Sequence, residues 1–192
     1  MFSHVATLLS FVYALCLTHV LASAGELLLA RDRVVFSGLQ AVWMLNAAVI
    51  ALFNWLAMWT LKDLETWSIG WIASLVAVAI IQFFICSLVS VKPREEGPVD
   101  MGAFYDRQRP MFIGGFLTLG VTSMVINALD PSLQSPAAFG LRNWVLQDLA
   151  ILPINGLMLL ALLARSRWLQ WLAALGMLGS IIGFAAMFAP AR

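Results

Sequence analysis

Apolar runs long enough to cross a bilayer recur six times along this chain, at 5–29, 35–61, 67–91, 111–129, 143–164 and 168–189, with short polar connectors between them. A helix needs about 20 residues to span about 30 Å of hydrocarbon. Backbone in lipid must also satisfy its own polar groups, so six such runs predict an all-α polytopic bundle with six transmembrane helices. Residues 1–192 then form a single transmembrane domain.

The connectors alternate in charge. Arg31 and Arg33 lie in the first, Lys92, Arg94, Arg107 and Arg109 in the third, and Arg165 and Arg167 in the fifth, whereas the second and fourth carry only Lys62 and Arg142. Eight of the eleven cations therefore fall in odd-numbered loops, which the positive-inside rule assigns to the cytoplasm, leaving both termini on the outer face. Trp55, Trp59, Trp67, Trp71, Trp144, Trp168 and Trp171 sit near predicted span ends, where an interfacial aromatic belt belongs. Ala22, Ser23 and Ala24 resemble a signal-peptidase site, but residues 1–4 carry no Lys or Arg, so the first run is expected to stay as a helix.

Composition agrees with the pattern. Hydrophobic residues make up 62% and charged residues 11%, with a mean hydropathy of +0.92, too little polar surface for a soluble domain of this size. A net charge of +1 without a clustered basic face argues against a nucleic-acid partner. Cys16 and Cys86 both lie inside apolar runs, where a disulfide is neither suggested nor excluded.

Residues 92–110 form the longest polar stretch. Pro93 and the Gly97-Pro98 turn signal are followed by Met101, Phe104 and Tyr105 at helical spacing beside Asp106, Arg107 and Arg109. That profile predicts a short helix on the cytoplasmic headgroup surface, with Tyr105, Arg107 and Arg109 contacting headgroups or a partner. The segment divides the chain into halves, 1–91 and 111–192, and a shift of about 100 residues aligns some of their positions. Trp43, Asn46 and Asn54 fall on Trp144, Gln147 and Asn155, and Trp71, Ile81 and Phe84 on Trp171, Ile181 and Phe184. A true duplication with three helices per half would be a 3+3 inverted repeat, with a site near the midplane.

Polar groups within spans are the pointers to such a site, since each is costly in hydrocarbon without a partner or water. Cys16, His19, Ser23 and Glu26 form one helical stripe, and Trp144, Asp148 and Asn155 another, with Pro153 loosening the backbone between them. Asn46, Asn54 and Gln82 add amides, and Thr118, Thr122 and Asn127 further polar groups. They would line a narrow path in which Asp148 attracts a cation and His19 or Glu26 relays a proton. Alternatively the amides are interhelical glue.

Other chemistry finds little footing. Cys16 and His19 share a face, but a closed metal site needs about four ligands, and His4 and Cys86 are not spaced as partners. His4 and His19 stand about 22 Å apart along a helix and cannot clasp one haem, which leaves only a haem shared across a dimer. No hydrolase motif or paired midmembrane carboxylates occur, so no catalytic residue, metal or cofactor is assigned. On the last run Gly176 with Ser180 and Gly179 with Gly183 form small-x-x-x-small pairs suited to close packing, within the chain or against a second copy.

The run Leu17-Thr18-His19-Val20-Leu21, then Arg31-Asp32-Arg33-Val34, Trp43, Asn54-Trp55, Trp59, Asp63 and Trp67-Ser68, resembles a widespread group of uncharacterised bacterial six-helix integral membrane proteins. So does Glu95-Glu96-Gly97-Pro98-Val99-Asp100 with Tyr105, Arg109 and Phe112. The resemblance covers about the first 115 residues and implies a multi-pass protein of the bacterial cytoplasmic membrane, where the charge pattern puts both termini on the periplasmic side, but it carries no activity. The leading expectation is a small transporter or channel-like permeation protein. The alternative is a non-catalytic accessory or scaffold subunit of a larger membrane complex, and a homo-oligomer is compatible with either. An enzyme acting on a lipid or quinone ranks third, its sign being a lipid-like cofactor at His19 or Arg107.

Overall fold

A computed structural model of the chain describes residues 2–62, 67–93, 97–129 and 141–188; for 60, 141–148, 150 and 184–188 only the backbone is described. Six α-helices follow one another: α1 (Phe2–Leu29), α2 (Gly38–Ala57), α3 (Ile69–Val89), α4 (Met101–Leu129), α5 (Leu141–Leu163) and α6 (Arg167–Phe188). The expected all-α bundle is what forms, and α1 to α4 are each long and apolar enough to cross a membrane. Large apolar side chains such as Phe11, Ile69 and Leu163 face outward at 71%, 86% and 76% exposure. Outward faces of that kind suit a lipid solvent and would be a liability in water.

The helices pack in the order α1, α3, α4, α5 and α6, and α2 closes the set by packing on α6, α1 and α3, with a lighter contact to α4. α2 is accordingly the most buried of the four apolar spans. Its inward face repeats at helical spacing through Leu39, Gln40, Trp43, Asn46 and Ala47. In the first half α1 packs directly on α3, whereas in the second half the close pairs are α4 with α5 and α5 with α6.

One boundary departs clearly from the hydropathy pattern. The segment expected to lie on the headgroup surface is instead the first turns of α4, which runs unbroken from Met101 through Pro110 into the apolar stretch. The reason is local: Asp100 Oδ1 accepts the Ala103 N–H at 2.9 Å, an N-terminal cap that starts the helix ten residues before the apolar run. Gly97, with φ of +97°, makes the turn just before it, in a backbone region that disfavours other residues. Val99 and Asp100 then pair in parallel with Val34 and Val35, joining the first and third loops by two short strands, β1 (Val34–Val35) and β2 (Val99–Asp100).

Candidate functional site

The helix ends beside the first, third and fifth loops, here called the arginine-bearing end, gather the C-termini of α1, α3 and α5. A helix C-terminus presents carbonyls with no partner in the helix, and inside a bundle water cannot be relied on to supply one. Here neighbouring helices supply it. Gln40 of α2 donates its Nε2 to Val89 O at 2.6 Å, and Ser23 of α1 donates its hydroxyl to Val91 O at 2.6 Å, closing the end of α3. Arg109 of α4 donates Nη1 to Ala164 O at 3.0 Å, and Gln170 of α6 donates Nε2 to the same carbonyl at 3.1 Å, closing the end of α5. A cation on that terminus also complements the negative end of the helix dipole.

An aromatic and ionic layer surrounds these ties. Trp43 is fully buried, its ring centroid 5.7 Å from Phe112 and 5.6 Å from Phe116. Tyr105 lies 5.9 Å from Phe112 and beneath the Arg167 guanidinium, 5.7 Å from the ring centroid. Arg167 in turn pairs with Asp106 at 2.6 Å. Trp43 Nε1 and the Tyr105 hydroxyl are both buried, and the indole N–H stands within side-chain reach of the phenol oxygen.

This overturns part of the sequence-based expectation. Tyr105 was expected to touch headgroups or a partner, and it is fully buried; Arg109 is half-buried with its guanidinium turned onto α5. The cause is the helical phase of α4. Residues 101, 105, 112 and 116 share its inner face, and starting the helix at Asp100 turns Tyr105 inward with them. Arg107 alone of the three stays exposed.

The intramembrane candidates separate in the same way. Asn46 donates to Ala174 O at 2.9 Å across α2 and α6. Gln82 donates to Ala47 O at 3.2 Å across α3 and α2, and its Oε1 lies 3.5 Å from the Asn54 amide nitrogen. Asn155 contacts Met124 Sδ at 3.4 Å across α5 and α4, its carboxamide lying over Gly120, where a Cβ would collide with it. His19 is half-buried and meets Phe83 edge to face at 5.2 Å across α1 and α3. These groups therefore occupy four different helix interfaces. The Thr118 hydroxyl bonds the carbonyl of Gly114, one turn back in its own helix.

The first-helix stripe divides between core and margin. Cys16 and Ser23 are buried while Glu26 is exposed, lying three residues beyond the point where Ser23 meets the end of α3. The side chain of Asp148, with that of Trp144, lies outside the described residues. On α6, Gly176 sits against Leu157 of α5 and Ser180 bonds Gly176 O at 2.7 Å, whereas Gly179 and Gly183 face outward with nothing near where a Cβ would stand. Among the described residues no three of His, Cys, Asp and Glu gather as metal ligands would.

Sequence reasoning overlooked Gln40, Trp43, Gln170 and the Asp106–Arg167 pair. A signal was present for two of them, because Gln40 and Trp43 continue the face of Asn46 at helical spacing. No known protein family, curated protein or solved structure matches the chain.

Proposed function

We propose that this chain is a non-catalytic accessory or scaffold subunit of a larger membrane complex, a six-span protein of the bacterial cytoplasmic membrane with its arginine-bearing end inward and both termini periplasmic. The observation that carries this reading is that Asn46, Gln82 and Asn155 each make a bond in a separate helix interface, as interhelical glue does. The exposed Arg107, Arg165 and Trp168 at the arginine-bearing end supply the outward groups a partner would meet. Native mass spectrometry of the chain gently extracted from its host membranes tests this. A stoichiometric foreign subunit, lost on reversing the charge of Arg107 and Arg165, is expected, and a lone monomer or homo-oligomer would sink it.

A second reading is permeation, favoured by one observation: Asn46 Oδ1, Asn155 Oδ1 and Gln40 Oε1 are buried acceptors without partners among the described residues, which water or a cation would satisfy. An inverted 3+3 repeat would set Asn54 and Asn155 at matching places in the two halves. This reading expects Asp148→Asn to abolish ion or proton flux in proteoliposomes while the fold persists, and unchanged flux would remove Asp148 from any path.

A further inference from the structure

At the arginine-bearing end, the corner between α1 and α3 holds two opposite charges that neither reading uses. Glu26 lies in the last turn of α1 and Lys92 follows the end of α3, and both side chains are exposed. The Ser23 to Val91 hydrogen bond, at 2.6 Å, brings the two segments together: Ser23 stands one turn before Glu26, and Val91 directly precedes Lys92. Among the described residues neither the Glu26 carboxylate nor the Lys92 ammonium makes an ion pair or a hydrogen bond. Glu26 is also poorly placed for its own helix. A carboxylate in the last turn faces the negative end of the helix dipole, and α1 has no basic residue in that turn to offset it. Towards the membrane centre the same two helices leave Leu15, Ile80 and Phe84 exposed, within about a turn of the His19–Phe83 contact that joins them.

We propose that this corner binds the headgroup of an ethanolamine phospholipid, with Glu26 accepting hydrogen bonds from its ammonium and Lys92 donating to its phosphate, while an acyl chain lies along the apolar outer face of the α1–α3 seam. The headgroup carries its cation and its anion a short ethylene link apart, so one molecule meets both side chains. Both side chains are open to the headgroup layer, so the lipid reaches them from the bilayer without any rearrangement of the bundle. Other headgroups match only one of the two charges. An anionic glycerol headgroup offers Lys92 a phosphate and leaves Glu26 without a cation, whereas a choline headgroup carries a cation with no N–H to donate to a carboxylate, which can only accept.

The test uses the full chain, stripped of lipid in detergent and titrated in native mass spectrometry with dioleoyl phosphatidylethanolamine, phosphatidylcholine or phosphatidylglycerol. Wild type is expected to hold the ethanolamine lipid about fivefold more tightly than the choline lipid, the upper range for an exposed ion pair. Glu26→Gln is expected to erase that preference while leaving the affinity for the choline lipid unchanged, and Lys92→Gln is expected to weaken all three lipids. Both side chains are exposed, so the variants should keep the fold, and the wild-type comparison decides the matter even if they do not. Equal binding of the ethanolamine and choline lipids by wild type, the outcome if the two side chains serve only each other or water, overturns the proposal. So does tighter binding of the glycerol lipid than of the ethanolamine lipid. A preference that survives Glu26→Gln, or lipid affinities untouched by Lys92→Gln, moves the site away from this corner and overturns it as well.

Discussion

The two ends of the bundle solve the same problem differently. At the exit of α2, on the end opposite the arginines, the chain tightens into a 3-10 turn over Met58–Leu61, whose backbone N–H groups bond the preceding carbonyls locally. At the arginine-bearing end, α3 and α5 stop abruptly, and their terminal carbonyls are met by side chains from other helices. Between helices the opposite end has a Trp55 to Ser10 hydrogen bond at 3.0 Å, the packing of Phe2 on Trp59 and Trp67, and a shallow apolar crease lined by Val5, Leu9, Met58 and Leu75. A local solution leaves neighbouring helices independent, whereas a tertiary one makes each helix end a condition of its neighbour's.

The largest expected effect contrasts one tryptophan from each end. Trp43→Ala, which empties a fully buried site against Phe112 and Phe116, should cost about 3 kcal/mol in reversible unfolding from mixed micelles. Trp59→Ala, at 58% exposure, should cost less than about 0.5 kcal/mol. Equal losses would break the contrast between the ends.

Next comes the shared carbonyl of Ala164. Arg109→Met should cost about 1.5 kcal/mol, as for loss of a charged hydrogen bond. Combined with Gln170→Leu in a double-mutant cycle, the losses should fail to add, because both donors serve one acceptor. Strict additivity would show that the two ties act separately.

Smaller again, Gln40→Leu and Ser23→Ala should each cost about 1 kcal/mol. Ser10→Ala, which frees a half-buried partner at the other end, should cost about 0.5 kcal/mol in the same assay. A reversed ranking would place the tighter end opposite the arginines. Least of all, Asp106→Asn should cost about 0.5 kcal/mol and lose even that in high salt, since both partners of its ion pair are more than half exposed. A salt-independent loss would mean that the pair is less screened than its exposure indicates.

Much of this architecture is legible in the sequence because hydropathy reports what a helix needs in order to sit in lipid. The six apolar runs correspond to the six helices, and Asn46, Gln82 and Asn155 are buried polar groups as their positions suggest. What hydropathy does not report is where a helix begins. That choice fell to the Asp100 carboxylate, and with it the inward turn of Tyr105. Nor does periodicity reveal which helix faces which. The stripe of Cys16, His19, Ser23 and Glu26 looks uniform on a helical wheel, yet α3 covers two of its members, half-covers His19 and ends before it reaches Glu26. Glutamines near helix ends, such as Gln40 and Gln170, look like ordinary interfacial polar residues until the carbonyls they serve are seen.

The placement of α2 has a consequence for synthesis. This helix leaves the ribosome long before the acceptor for Asn46, which is Ala174, 128 residues downstream on α6. During translation the Asn46 amide has no native acceptor, and the inner face of α2 stays unsealed until α6 arrives. The sealing of α2 therefore waits for α6 to dock against it, and a nascent chain arrested before that point would offer quality-control machinery an unpaired amide on an otherwise apolar helix as a mark of incompleteness.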